Sequence, residues 1–276
     1  MALLTNMSDR VSAMTGGNVQ TTIVQKRDTL VYIVGAANSY WTIPGLPGAA
    51  ANPTTVTAPT RATLGAIAFT NPTGGRQKWL VRVALGAMIN SAMGTIYDRL
   101  LHIGGLSGTV TTAQTVGGAL TRYTNGVGNL AYFEIYTDIG SSSVTATLSY
   151  TNDLNNAATA TIRVGGTDIQ NRSHIAPFPL NAGEKGVKAV TSVTLSSSTG
   201  TAGDFGITVG HPLMTLTYGF QGFSEERGSA ATSTINSLGG DVEILSDACL
   251  AMLDQSFSSL GTTEHYFLGM LNMVEK

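Results

Sequence analysis

Acid–base hydrolysis needs two carboxyl groups held a few ångströms apart, one of them with a raised pKa. The acids that could form such a pair are Glu134, Asp138, Asp153, Asp168, Asp204 and the adjacent Glu225 and Glu226. Glu134 is the most suggestive, because it sits between Phe133 and Ile135 in an apolar run. Buried there, its carboxyl would hold a proton to donate. The pattern favours the other placement, a solvent-facing position on an alternating strand with both neighbours turned inward. Cys249 lies among Ala248, Leu250 and Ala251, where a small buried hydrophobe is the ordinary role and a nucleophile is not. His102, His174, His211 and His265 are all more than four residues from one another, so no local metal-ligand pair exists. Gly126, Gly128 and Ala131 match the loose dinucleotide fingerprint, but residues 132–136 read as a strand where phosphate binding needs a helix N-terminus. That segment is a Gly-rich turn. Tyr40 and Trp41, in a Pro-rich stretch, are the one aromatic pair that could form a sugar platform; core packing is the favoured role for Trp41. No catalytic, cofactor-binding or metal-ligating residue is assigned.

The elements that would position these residues are strands. Gly numbers 33 among 276 residues, and Thr recurs inside apolar runs, a mixture of β-formers and turn residues. Hydrophobic residues reach 42% and mean hydropathy is +0.14, which excludes a disordered chain. In residues 78–85, Trp79, Val81, Val83 and Leu85 alternate with Lys78, Leu80, Arg82 and Ala84, predicting a buried odd-numbered face. Residues 130–136 and 143–150 are separated by a short turn-rich segment and read as a hairpin. About ten strands are expected between residues 29 and 220, with no helical stretches of the βαβ kind between them. The fold class is therefore all-β, an antiparallel β-sandwich, jelly-roll-like.

Two flanks differ from this middle. Residues 1–28 are polar and weakly periodic and read as an N-terminal arm ahead of a sandwich domain over 29–220. Residues 221–276 read as a C-terminal extension. Within it, residues 241–257 fit a helix capped by Asp241, with Val242, Leu245, Cys249, Met252 and Leu253 near one stripe, and fit a strand equally well.

Charge is what sets the chain apart. Asp, Glu, Lys and Arg make up 12% of residues, about half the usual share. A compact chain of this mass exposes roughly 11,000 Å². Thin charge cover of that kind marks surfaces that neighbours occupy. A net charge of −2 gives no attraction for a phosphate backbone, so no nucleic-acid partner is expected. No apolar run approaches the ~20 residues of a membrane span, and no signal peptide is evident, so no membrane partner is expected either. A single cysteine forbids an intrachain disulfide, in keeping with synthesis in a reducing cytoplasm.

Residues 96–116, opening Ile96-Tyr97-Asp98-Arg99, resemble a segment common in structural proteins of tailed bacteriophages. So do Leu120-Thr121-Arg122-Tyr123 and the stretches 144–152, 177–190 and 191–206. The resemblance covers about half of the chain. It implies a non-enzymatic, head-associated virion protein with no cofactor, assembled in the bacterial host cytoplasm. The most specific expectation is a decoration or cement protein on the capsid exterior. Its partner would be the major capsid protein, with self-association, a homotrimer being one form. A receptor- or glycan-binding module on a tail or fibre is the alternative.

Overall fold

Short apolar runs broken by Gly, Ser and Pro favour strands too brief to stand alone, which must pair and stack to bury their faces. The computed structural model describes residues 15, 17, 19–33, 36–87, 92–167, 169–218, 231–234, 242–256 and 265–276. Sixteen strands lie among them: β1 Val19–Asp28, β2 Ala37–Ser39, β3 Gly45–Leu46, β4 Lys78–Ala87, β5 Ala92–Leu106, β6 Gln114–Thr115, β7 Leu130–Thr137, β8 Val144–Asn152, β9 Ala157–Val164, β10 His174–Pro177, β11 Val187–Leu195, β12 Asp204–Tyr218, β13 Ala231–Thr234, β14 Val242–Ile244, β15 Leu250–Ser256 and β16 His265–Glu275. Every pairing between them is antiparallel. The class is all-β and sandwich-like, as the composition predicts.

Three sheets stack. The first runs β13-β4-β16-β1-β3, with β14 also on β4; the second is a closed barrel, β10-β2-β15-β5-β12-β7; the third runs β6-β11-β8-β9. One apolar core joins Val24, Leu80, Val83, Leu85, Phe267 and Leu271 of the first sheet to Ile96, Leu216, Leu250 and Met252 on the barrel wall. A second joins Leu100, Phe133, Ile135, Phe205 and Val209 of the barrel to Val144, Ala146, Leu148, Val190 and Val193 of the third sheet. Each such side chain contributes about 1.5–3 kcal/mol on leaving water. The barrel therefore has apolar layers against two of its outer faces, and its lumen is a third interior.

That arrangement corrects several expectations. Residues 19–28, read as part of an arm, form β1, paired along its length with β16. Its inward positions hold Lys26 and Asp28 beside Val24, and this polar content hides the period of two. The rest of the expected arm lies outside the described residues except Thr15 and Gly17. The helix weighed over 241–257 is not formed: β14 and β15 occupy 242–244 and 250–256, while Asp241 and Phe257 lie outside the described residues. Leu250 and Met252 face the first core while Ala251 and Leu253 face the lumen, so both faces of β15 are buried and its apolar run mimics a buried helix. The expected C-terminal extension is integral, since β15 sits between β2 and β5 and β16 sits between β4 and β1. The expected hairpin of 130–136 with 143–150 is absent. β7 pairs with β10 and β12 in the barrel, β8 pairs with β9 and β11 in the third sheet, and the chain crosses between layers at residues 138–143.

In β4 the buried set changes phase. Lys78 and Leu80 are buried, then Val81, Val83 and Leu85, while Trp79 is half-buried. A register shift against β16 between Asn272 and Met273 places a bulge at this point, and a bulge flips the facing of everything beyond it.

Lys26 yields a testable consequence of β1's burial. Its Nζ, on a side chain only 2% exposed, donates to the carbonyls of Ile43 at 2.9 Å and Pro47 at 2.6 Å. Burial lowers its pKa from 10.5 to about 8. Below pH 8 the native state therefore carries the whole penalty of a buried ammonium. Between pH 8 and 10.5 it sheds the proton while the unfolded chain keeps it, so stability rises with pH by up to about 1.4 kcal/mol per unit. Urea unfolding at pH 7.5 and 9.5 should show this rise in the parent and not in Lys26→Met. Equal slopes in both would contradict it.

Candidate functional site

The densest concentration of chemistry-bearing side chains lies inside the barrel. Strand alternation sends Tyr97 and Arg99 inward from β5, Tyr132, Glu134 and Tyr136 from β7, and Thr208 from β12. Arg99 is wholly buried and every guanidinium N–H is used. Nε donates to His102 Nδ1 at 2.8 Å, Nη1 to Tyr97 Oη at 3.0 Å and Glu134 Oε1 at 3.2 Å, and Nη2 to Glu134 Oε2 at 2.6 Å and Tyr136 Oη at 2.9 Å. The planar fork fits this bidentate demand as no lysine would. Its face lies 4.5 Å from the Trp41 ring centroid, a cation–π contact between two buried side chains. Glu134 also accepts from the hydroxyls of Tyr136 and Thr208.

These contacts decide what Glu134 can do. Burial pushes its carboxyl up, but the Arg99 charge and the hydrogen bonds from Arg99, Ser39 and Thr208 outweigh it, and its pKa falls below the ordinary value. A proton donor at neutral pH needs the opposite shift. The solvent-facing position expected for Glu134 is corrected: it is 1% exposed, because β7 separates two interiors, the core with the third sheet and the barrel lumen. Arg99, Tyr97, Tyr136 and Thr208 were not legible as its partners. The available signal was the i, i+2 run of polar and aromatic residues, Tyr132, Glu134 and Tyr136, inside an apolar strand.

The remaining candidates are scattered. Asp138 accepts from the Arg172 backbone N–H, Asp153 from that of Lys185, and Asp204 from that of Gly105, so each ties a loop. Asp168, Glu225 and Glu226 lie outside the described residues. Cys249 is buried, and burial first of all raises its pKa to about 12, which suits an inert thiol. Its backbone N–H donates to Asp98, whose carboxylate also takes Nε and Nη2 of Arg122 at 2.8 and 2.9 Å. His102 is driven to about 3 by burial and by Arg99. His211 stacks on Tyr123 with centroids 3.7 Å apart, His174 donates to Val31, and the side chain of His265 is outside the description. Among the described residues no three of His, Cys, Asp and Glu gather as a metal site. Trp41 is 2% exposed, in the core as expected, and offers no platform for a sugar.

Outside, one face is unusual. On the outer side of the first sheet, Gln25 of β1 is flanked in register by Leu46 of β3 and Leu268 of β16, Ile23 pairs with Met270, and Arg27 with Tyr266. Leu46, Leu268 and Ile23 are each more than half exposed, and Tyr266 is 38% exposed. Large apolar side chains adjacent on one ladder mark a surface suited to a partner.

No protein-family model matches the chain, and no curated protein matches it. Among solved structures it has a slight similarity to those of infectious bursal disease virus. The Gx-strain structure is 9% identical with a TM-score of 0.17, covering 94% of this chain and 82% of that one. The T=1 particles derived from the virus give 10% and 0.17, covering 94% and 80%. Its VP2 subviral particle gives 10% and 0.15, covering 93% and 81%. Scores this low establish no shared fold, and the all-β class stands on the strand pairing itself.

Proposed function

We propose that the chain is a non-enzymatic structural protein of a bacteriophage virion, a capsid decoration protein that binds the outside of the assembled shell and stabilises it. The observation that carries this reading is the charge-poor surface. Lys26, Asp28, Lys78, Asp98, Arg99, Arg122, Glu134 and Asp254 are buried. At most 24 of the 32 charged residues are left for a surface of 11989 Å², no more than about one per 500 Å², the depletion found where partners cover a protein. The exposed row of Ile23, Leu46, Tyr266 and Leu268 is the face offered to the major capsid protein. Binding only the closed shell stabilises it by mass action, and self-association into a homotrimer would add avidity.

The test is occupancy. Purified chain is mixed with shells that lack it, and bound copies are counted by sedimentation and cryo-electron microscopy. Ile23→Asp with Leu268→Asp should weaken binding roughly hundredfold, since two apolar side chains lose their burial. Absence of the chain from particles, or unchanged occupancy of the double variant, would contradict the proposal.

A further inference from the structure

On the outer wall of the barrel, Asn38 of β2 is the register partner of His174 on one side and Asp254 on the other. Cross-strand partners project from the same face about 5 Å apart, so the three form one polar row. All three are fully buried. His174 Nε2 lies 3.0 Å from the carbonyl oxygen of Val31, in the segment 29–33 that leads from β1 towards the barrel. A carbonyl only accepts, so Nε2 carries the proton and Nδ1 presents a lone pair. That Nδ1, and both Oδ1 and Nδ2 of Asn38, have no hydrogen-bond partner in the protein. Buried amides and imidazoles are almost always satisfied, by protein or by ordered solvent.

We infer that this row is an internal hydration site, in which ordered water bridges Asn38 to His174 beneath the 29–33 segment. The donor and acceptor census selects water over a cation. Asn38 Nδ2 needs acceptors for its N–H groups, which no metal ion supplies, while Asn38 Oδ1 and His174 Nδ1 need donors. Water offers both. Burial, outweighing the Val31 hydrogen bond and the Asp138 charge, lowers the His174 pKa, which keeps its lone pair free to accept. An open cleft of about 440 Å³, lined by Thr29, Leu30, Val31, Asp138, Asn171 and Arg172 among others, lies on this same segment. The water then fixes the ring of His174 against β2 through Nδ1, and so steadies the Nε2–H bond by which that ring holds Val31 and its segment.

A crystal structure of the full chain at high resolution reads this directly. The expected result is a peak without anomalous signal within 2.7–3.2 Å of both Asn38 Nδ2 and His174 Nδ1. Asn38→Leu should remove the peak and speed amide exchange of residues 30–33 by about tenfold, the effect of losing a net hydrogen bond. A direct Asn38–His174 hydrogen bond, an anomalous metal peak, or an empty row in the parent crystal would each overturn the inference. The parent crystal decides it even if the variant does not fold.

Discussion

Arg99→Met is expected to cost about 3–5 kcal/mol, because it strands the Glu134 carboxylate in the barrel lumen with only hydroxyls to answer its charge. The same change removes the donors to His102 Nδ1 and to the hydroxyls of Tyr97 and Tyr136. Glu134→Gln should fall in the same range from the other side, leaving a guanidinium buried with no counter-charge. Arg99→Met combined with Glu134→Gln should recover much of the loss, since neither buried charge remains to be desolvated. Urea unfolding of the four proteins gives the coupling. If each single variant lost under about 1 kcal/mol, the cluster would be incidental to the barrel. A role for Glu134 as a proton donor predicts a different pattern, in which Glu134→Gln leaves stability intact and abolishes a turnover.

The strand class was legible because Thr, Val, Ile and Gly alternate where strands form, and the third sheet follows the expected alternation: in β8, Val144, Ala146, Leu148 and Tyr150 are buried and the residues between them are half-buried. Facing failed where the protein has more than one interior. In β7 and β15 both faces are covered, so the pattern sorts residues between a core and a lumen, not between a core and water. That is why Glu134 read as exposed and 241–257 read as either helix or strand. In β1, inward Lys26 and Asp28 broke the apolar period, and only the partner strand β16 reveals its place. Arg99 and Glu134 are 35 residues apart, and no local spacing announces a pair formed across a barrel. The surface was easier. Charge scarcity is a property of composition, and burial of eight charged side chains among the described residues deepens it.

Gly206→Ala is expected to prevent folding into the present barrel. A Cβ on Gly206 of β12 would lie 1.7 Å from the carbonyl oxygen of Ile103 and 2.9 Å from Gly104 Cα, and these are backbone atoms with no rotamer to yield. The position sits in the register shift between the Phe205–Leu106 and Ile207–Ile103 pairs of β12 and β5, and on its other side it pairs with Glu134 of β7. Any movement that admits the methyl group must therefore spread two seams of a closed barrel and shift the carboxylate that Arg99 grips. Relaxation in an open sheet would be shared with a free edge; a closed barrel has none. The cost should exceed the 1–3 kcal/mol typical of overpacking by one methyl group, and the variant should be recovered in the insoluble fraction or unfold without a cooperative transition. Gly183→Ala serves as the control, because its Cβ meets nothing within 4 Å although its φ of +88° is unfavourable for alanine. That variant should fold with a loss on the order of 1 kcal/mol. A soluble Gly206→Ala protein with parental urea unfolding would show that β5 and β12 can part at this point without opening the barrel.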